Sequence, residues 1–314
     1  MDKEILKITD VLRLPVFSDD LMFILSKKNR NILAHHNLKE VWVTNEKDYN
    51  CNVFIDNIIT ANLKIYDLKG DTIYKHDDYG NYHFVLLDSA NGLSIWKTID
   101  EEKETVLYHI FDIKKKTFIK KYIDSKIPLF FICQDCFVCR NSIAEVSVFN
   151  FKIQKQLWQK DLSEITSYTD WDGEHKGEIY NVYSYKNRII VVAGNSVLSL
   201  EKDNGVIEWQ TTYDDFQPHT LHIVENIGYL CRGAYYSLIN LNTGEKLLEI
   251  KLLRPFNLSL KYKNSNVAMV RSDMTYHEGY FYFTDKSEEH RYLGKIEPQT
   301  GIVEEYQILE GITS

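Results

Sequence analysis

Three cysteines with the spacing of metal ligands lie in the stretch FICQDCFVCR, at Cys133, Cys136 and Cys139. A C-x2-C-x2-C pattern could bind zinc or an iron–sulfur cluster through thiolates, but either site needs a fourth ligand. The other two cysteines, Cys51 and Cys231, are distant in the sequence. Alternation along a strand also sends Cys136 and Cys139 to opposite faces. We therefore expect small apolar core residues here, and no bound metal.

Acidic and aromatic residues recur in three short segments that could recognise a partner. These segments are 75–79 (KHDDY), 168–175 (YTDWDGEH) and 213–219 (YDDFQPH). Exposed aromatic side chains framed by carboxylates are typical of protein-binding surfaces, and an acidic surface favours a basic partner. The residues that we expect to contact a protein partner are Tyr79, Asp170, Trp171, Asp172, His175, Tyr213, Asp214, Asp215, Phe216 and His219. An ordinary loop is the alternative, because Asp favours turns and aromatic side chains pack at rims.

General acid–base chemistry is the second use that these segments could have. A histidine such as His175 or His219 could pair with a nearby aspartate, as in a glycan hydrolase or lyase. The spacing selects no particular pair, and the common motifs of hydrolases, metalloproteases and nucleotide-binding loops do not occur. Asp170-x-Asp172-Gly173 resembles part of a calcium loop but lacks a third oxygen ligand and the distal Glu. We therefore expect no catalytic residue and no calcium.

Composition narrows the classes of partner. The 314 residues carry a net charge of −8, which opposes binding to nucleic acid. No apolar run approaches the roughly 20 residues that span a bilayer, so no membrane contact is expected. The first residues, MDKEILKITD, lack the apolar core of a secretory signal, and an odd number of cysteines suits a reducing compartment. We expect a cytoplasmic, monomeric protein.

An internal repeat shows which elements must position these residues. The segments 197–209, 236–248 and 292–305 each read as a strand, a polar turn ending in Gly and a second strand. Weaker copies add turn positions at 40, 70, 116 and 154 to those at 205, 244 and 301. The mean spacing of about 43 residues, with two more strands upstream in each unit, is typical of propeller blades with four strands.

The repeat predicts an all-β fold, a single β-propeller domain that spans residues 1–314 and has four-stranded antiparallel blades. Seven blades fit best, and six or eight stay open because the first three units are degenerate. The ring could close through the C-terminal strand beside the first unit or through residues 4–14 in the last. In unit four, Gln134 and Asp135 should form the turn between the first two strands. In unit five, Lys186 and Asn187 should do so.

The repeat L-(D/N)-x-x-T-G-x-x-x-W resembles that of the quinoprotein-like (PQQ-type) β-propellers. It reads INLNTGEKLL at 239–248 and LEKDNGVIEW at 200–209, and its last column holds Trp158, Trp209, Tyr74 and Leu248. The resemblance implies that this aromatic column docks on a neighbouring blade. Dehydrogenases of the family bind their quinone with an adjacent cysteine pair, a stacked tryptophan and calcium. This chain has no adjacent cysteines, so we expect no cofactor and a non-enzymatic, protein-binding role of the immunity or adaptor type.

Overall fold

The structure is a computed structural model that describes most of the chain. The described residues are 16–18, 21–25, 31–35, 40–44, 52–54, 57–59, 64–67, 71–75, 82–90, 93–100, 105–123, 129–133, 135–150, 153, 155–170, 172–214, 216–254, 266–270, 274–286 and 291–309. Regular structure in this part is almost entirely β-strand, and its helical part is the short α1 (Ser163–Thr166). The all-β class that the repeat predicts is therefore confirmed.

Antiparallel sheets of four strands follow one another along the described chain, and we number them first to seventh. The first comprises β1 (Val16–Ser18), β2 (Leu21–Leu25), β3 (Asn31–His35) and β4 (Glu40–Thr44). The second comprises β5 (Asn52–Phe54), β6 (Asn57–Ile59), β7 (Lys64–Asp67) and β8 (Thr72–Lys75). The third comprises β9 (Tyr82–Ala90), β10 (Leu93–Asp100), β11 (Thr105–Asp112) and β12 (Thr117–Ile123).

The later sheets have the same pattern, with one insertion. The fourth comprises β13 (Leu129–Cys133), β14 (Cys136–Arg140), β15 (Glu145–Asn150) and β16 (Lys155–Asp161). A two-stranded hairpin, β17 (Tyr168–Asp170) and β18 (Gly173–His175), follows it. The fifth comprises β19 (Ile179–Tyr185), β20 (Arg188–Ala193), β21 (Ser196–Glu201) and β22 (Ile207–Thr212). The sixth comprises β23 (Thr220–Val224), β24 (Ile227–Arg232), β25 (Tyr235–Asn240) and β26 (Lys246–Lys251). The seventh comprises β27 (Thr275–His277), β28 (Tyr280–Lys286), β29 (Arg291–Ile296) and β30 (Val303–Leu309).

Strands pair in chain order within every sheet, so each sheet forms from one contiguous segment. The predicted turn at Asp135 lies between β13 and β14, and the predicted turn at Lys186 lies between β19 and β20. The C-terminal strand β30 pairs with β29 as the fourth strand of its own sheet. It therefore does not complete the first sheet, which has four strands of its own. Residues 4–14, the other proposed closure, lie outside the described residues.

Where the structure describes it, the turn between the third and fourth strands has a left-handed residue that explains the Gly of the repeat. Gly205, Gly244 and Gly301 have φ values of +70°, +76° and +69°, and Lys116 occupies the same place with φ +58°. Glycine adopts this conformation without the steric cost of a side chain. In all seven sheets the pairing of the third and fourth strands shifts register at a bulge, which increases the twist of the outer strands.

The Asp or Asn of the repeat closes the same turn. Asn240 Oδ1 accepts a hydrogen bond from the backbone N–H of Asn242 at 2.9 Å. Asp112 Oδ1 accepts one from the N–H of Lys115, also at 2.9 Å. Short polar side chains stabilise turns in this way because they satisfy N–H groups that no strand partner reaches.

Aromatic side chains of one sheet pack on the glycine turn of the next, as the resemblance implies. A Cβ atom at Gly205 would lie 2.7 Å from the ring of Trp158 in the preceding sheet. A Cβ atom at Gly244 would lie equally close to the ring of Trp209. The indole N–H of Trp158 donates to the carbonyl of Lys202 at 2.7 Å. Tyr74 in the second sheet likewise contacts Phe111 in the third, with ring centroids 5.1 Å apart. The predicted aromatic column therefore joins neighbouring sheets.

Apolar clusters fill the spaces between sheets, and the cysteines belong to this core. Cys136 and Val138 pack with side chains of the fifth sheet, and Cys231 packs between the sixth and seventh sheets. Cys139 is 2% exposed, three residues from Cys136 on the same strand. These positions agree with the core role expected for them; the side chains of Cys51 and Cys133 lie outside the described part.

The close packing of Trp209 on Gly244 predicts how a substitution at this glycine changes stability. Gly244→Ala should lower the free energy of unfolding by about 2–4 kcal/mol, because it combines a left-handed backbone with a clash against Trp209. Gly279→Ala is the matched control, since Gly279 has φ +83° but a Cβ atom added there would meet no other atom within 4 Å. It should cost only about 1 kcal/mol. Urea unfolding measures both, and equal losses would contradict a role for the ring contact.

Candidate functional site

The described connectors that follow the fourth and fifth sheets lie on one side of these sheets, and we call this side the loop face. It comprises the connectors 162–178 and 213–219 with the turns at 194–195 and 233–234. Backbone hydrogen bonds join these segments, from the N–H of Gly194 to Glu178 O and from the N–H of Tyr213 to Asn195 O. The acidic and aromatic segments 168–175 and 213–219 therefore lie on the same side. Residues 76–79 of the third segment lie outside the described residues.

The hairpin β17–β18 projects from the longer of these two connectors. Asp170 Oδ1 accepts a hydrogen bond from the backbone N–H of Asp172 at 2.8 Å, which closes the turn. Gly173 follows with φ +124°, a conformation that side chains rarely adopt. The sequence D-x-D-G thus forms a capped turn, and the calcium-loop resemblance has this simpler structural explanation.

Asp170 and His175 form a side-chain pair within the hairpin. His175 Nε2 lies 2.8 Å from Asp170 Oδ1, and the imidazole stacks on Tyr168 with centroids 5.0 Å apart. The N–H of Asp172 and the neighbouring imidazole lower the pKa of Asp170 below its usual value. Because Asp170 serves both the turn and the histidine, it remains ionised at neutral pH and fixes the shape of the hairpin tip.

Two glycines allow the base of the hairpin to pack tightly on the fifth sheet. A Cβ atom at Gly177 would lie 2.0 Å from Thr166 Oγ1, and one at Gly194 would lie 2.3 Å from the carbonyl of Thr166. Thr166 is completely buried and donates through Oγ1 to Leu162 O at 2.8 Å. The hairpin therefore has a rigid base.

Polar contacts also join the hairpin to the connector of the sixth sheet. Gln217 Nε2 lies 3.4 Å from Asp170 Oδ2, and the Arg232 guanidinium donates to Gln217 Oε1 at 3.0 Å. Burial and the neighbouring Tyr180 side chain raise the pKa of Tyr168 to about 12. Tyr168 is therefore neutral at physiological pH.

His219 lies at the end of this chain of contacts. Its ring centroid is 3.8 Å from that of Tyr180, and its carbonyl accepts from Asn181 Nδ2 at 3.0 Å. Within the described part of the chain, its buried Nε2 has no hydrogen-bond partner. Burial and the positive charge of Arg232 lower its pKa to about 4, so the imidazole is neutral at pH 7.

Tyr213 and Phe216 are buried, contrary to the exposed position that the sequence suggested for them. Tyr213 is 0% exposed and Phe216 is 2% exposed, and their rings meet edge to face at 5.1 Å. Both join the apolar cluster between the fifth and sixth sheets. An aromatic residue next to aspartates looks like a contact residue in sequence, but here the connector folds back and covers a core.

The remaining predicted contact residues differ in their exposure to solvent. Asp172 and Asp214 are exposed, while Asp170, His175 and His219 are partly buried. Tyr79, Trp171 and Asp215 lie outside the described residues.

Three side chains that sequence reasoning missed complete the arrangement. Tyr180, Gln217 and Arg232 connect the hairpin to its neighbours. Gln217 lies inside the segment 213–219, so its place in that predicted contact segment could have identified it. Tyr180 and Arg232 lie in predicted strands, and only the packing of two sheets brings them to the hairpin.

Charge is unevenly distributed around the hairpin. Residues 161–178 contain six carboxylates and one lysine. Asp172 and Glu174 at the tip are exposed, whereas Arg232 lies on the sixth-sheet side. Among the described residues, no three His, Cys, Asp or Glu side chains come together as metal ligands. The described helical residues also include no segment long and apolar enough to cross a membrane.

Comparison with known proteins gives a fold but no family. No protein-family model and no curated protein matches the chain. The computationally designed Ika8 protein has a similar structure, with a TM-score of 0.66 at 9% identity over 95% of this chain and 87% of that one. BamB from Moraxella catarrhalis has a TM-score of 0.52 at 9% identity, over 88% and 80% of the two chains. The likeness to BamB, a PQQ-like β-propeller, supports a β-propeller-like fold for this protein.

Because Phe216 is buried, we expect its substitution to reduce the stability of the fold and not only the binding of a partner. Phe216→Ala should lower the free energy of unfolding by about 3–5 kcal/mol, because it removes a large side chain from a packed cluster. Asp214→Ala, two residues away and exposed, should change it by less than about 0.5 kcal/mol. Denaturant unfolding measures both, and a stable Phe216→Ala protein would contradict the packing described above.

Proposed function

We propose that the protein is a single-domain, closed seven-bladed propeller of the quinoprotein-like type. The seven four-stranded sheets would be its blades, and the insertion β17–β18 would decorate its loop face. The observation that supports closure is the contact between β1 and β27, the first strands of the first and seventh sheets. First strands of consecutive sheets also contact each other, as in β1 with β5 and β19 with β23. Such contacts are expected where first strands line a common axis.

Ring closure can be tested by a cross-link between the terminal sheets. One cysteine would be introduced in Val16–Ser18 and a second in Thr275–His277, at pairs of positions scanned along the two strands. In a closed ring at least one pair should form an intramolecular disulfide under mild oxidation, because the strands are adjacent. A cysteine in Val16–Ser18 paired with one in Ile179–Tyr185 is the control and should not form it. Mass spectrometry after proteolysis detects the bond, and failure of every β1–β27 pair would argue against closure.

For its activity, we propose that the protein is a non-enzymatic cytoplasmic binding protein that acts as a monomer. The loop face would contact another protein through the hairpin β17–β18, and the contact surface of that partner would be basic. The observation that carries this proposal is the excess of carboxylates on a hairpin whose shape is fixed by Asp170, His175 and Thr166. Complementary charge accelerates association and selects partners, and a preorganised element loses little entropy on binding.

Roles differ among the residues of this surface. Asp172 and Glu174 are exposed at the tip and would contact the partner. Asp170 and His175 pair with each other and would hold the tip in shape. Tyr213 and Phe216 would support the connector from below, since both are buried. Asp214 is exposed on the same connector as Gln217 and would extend the acidic surface.

Charge reversal at the hairpin tip tests the binding proposal. Asp172→Lys with Glu174→Lys should weaken capture of the partner from a host lysate by about tenfold or more, because it reverses the local charge. Asp203→Lys with Glu245→Lys changes the net charge equally at exposed turns of the fifth and sixth sheets. Quantitative pull-down at two salt concentrations compares the variants with the wild-type protein. Equal capture by all three proteins would contradict a contact at the hairpin.

The Asp170–His175 pair favours one second candidate, a glycan hydrolase or lyase. A histidine 2.8 Å from a carboxylate is the arrangement that a general base requires. His175→Gln would then abolish turnover of a glycan substrate, with the wild-type fold intact by circular dichroism. If the pair only shapes the hairpin, no glycan in a panel is cleaved by either protein, and partner capture falls in the variant instead.

A further inference from the structure

A chain of side-chain contacts fastens the hairpin β17–β18 to the sixth sheet. The Tyr180 side chain lies close enough to Tyr168 of the hairpin to raise the pKa of its hydroxyl group, and the Tyr180 and His219 rings are tilted by 37° with centroids 3.8 Å apart. Gln217 makes a second, longer contact with Asp170 at 3.4 Å. His219 is therefore the closely packed end of the connection, and the hairpin reaches the sixth sheet through it.

The surroundings of His219 suit a neutral imidazole and oppose a cation. Its Nε2 is buried with no hydrogen-bond partner in the described part of the chain. The charged group that acts on it is Arg232, whose guanidinium lies 6.0 Å from the Tyr180 ring centroid. Protonation would thus place a second positive charge in a partly buried site.

Among the described residues, burial and Arg232 are the influences that lower the pKa of His219, and no carboxylate contributes to offset them. Asp170, on the hairpin, already binds the imidazole of His175 and the N–H of Asp172. Asp214, on the same connector as His219, is exposed to solvent. Tyr168 of the hairpin has a raised pKa and is neutral at physiological pH, so it adds no negative charge to this region.

We propose that His219 is a protonation-sensitive latch. In its neutral form it holds the hairpin against the sixth sheet through Tyr180, and its protonation releases the hairpin. The device goes beyond partner binding and does not require it, because both states belong to the isolated protein.

The direction of the effect follows from proton linkage. The latched histidine has a pKa of about 4, whereas a released, solvated histidine has a value of about 6.5. Between these values the released state binds the proton more tightly, so release becomes more favourable as the pH falls. Latching is therefore fully favoured above about pH 6.5 and is progressively lost as the pH falls toward about 4.

Hydrogen exchange of the hairpin amides tests the latch. Protection factors for peptides that cover residues 168–175 would be measured at about pH 7 and about pH 4.5, each corrected for the intrinsic exchange rate. In the wild-type protein the hairpin should lose about tenfold of protection at the lower pH. Peptides from Ile189–Ala193 and Ser196–Glu201 should keep their protection, which excludes global unfolding.

Two variants make the outcome decisive. His219→Phe keeps an aromatic ring against Tyr180 but cannot be protonated, so its hairpin protection should be the same at both pH values. His219→Gln, smaller and also uncharged, should show weaker protection that is again independent of pH. The proposal is overturned if the wild-type hairpin keeps its protection at pH 4.5. It is equally overturned if the variants lose protection with pH as the wild-type protein does, since another group would then be responsible.

Discussion

The packing of an aromatic ring on the glycine turn of the next sheet is the contact on which the rest of the structure depends. A four-stranded sheet formed from one contiguous segment can bury its faces only against its neighbours. Trp158 and Trp209 meet Gly205 and Gly244 at distances that exclude any larger residue. The turn must therefore adopt positive φ and the ring must cross the gap between sheets. One local conformation thus links the geometry within a sheet to the arrangement between sheets.

This regular framework leaves its loop face free to vary. Connectors on that side differ in length, and the connector 162–178 carries an additional hairpin. The hairpin is fixed at its base by Thr166 and Gly177, and at its tip by the Asp170–His175 pair. A rigid recognition element requires buried contacts at its base and exposed charged groups at its tip, and this hairpin has both. The acid sensitivity proposed for His219 arises because its partly buried, uncharged imidazole packs on Tyr180, which neighbours the hairpin.

Much of the fold could be predicted from the sequence because its signals are local. A polar turn recurs at a mean spacing of about 43 residues, and alternation on either side of it defines strands. The turn at Lys186 and the position of Cys136 and Cys139 on one strand followed from the same alignment. Less of the site could be predicted. Asp170 and His175 were recognised as a group, but Tyr213 and Phe216 were expected to be exposed and are buried.

The sequence by itself determined the class of the fold, the strand pairs around each turn and the acidic character of the loop face, because these depend on residues near each other in the chain. Tertiary structure alone decided which side chains meet across sheets. Tyr180, Gln217 and Arg232 come from separate segments, and their contacts with the hairpin arise from how the fifth and sixth sheets pack. Burial was also decided there, since an aromatic residue in a polar loop has the same sequence signal whether the loop covers a core or faces solvent.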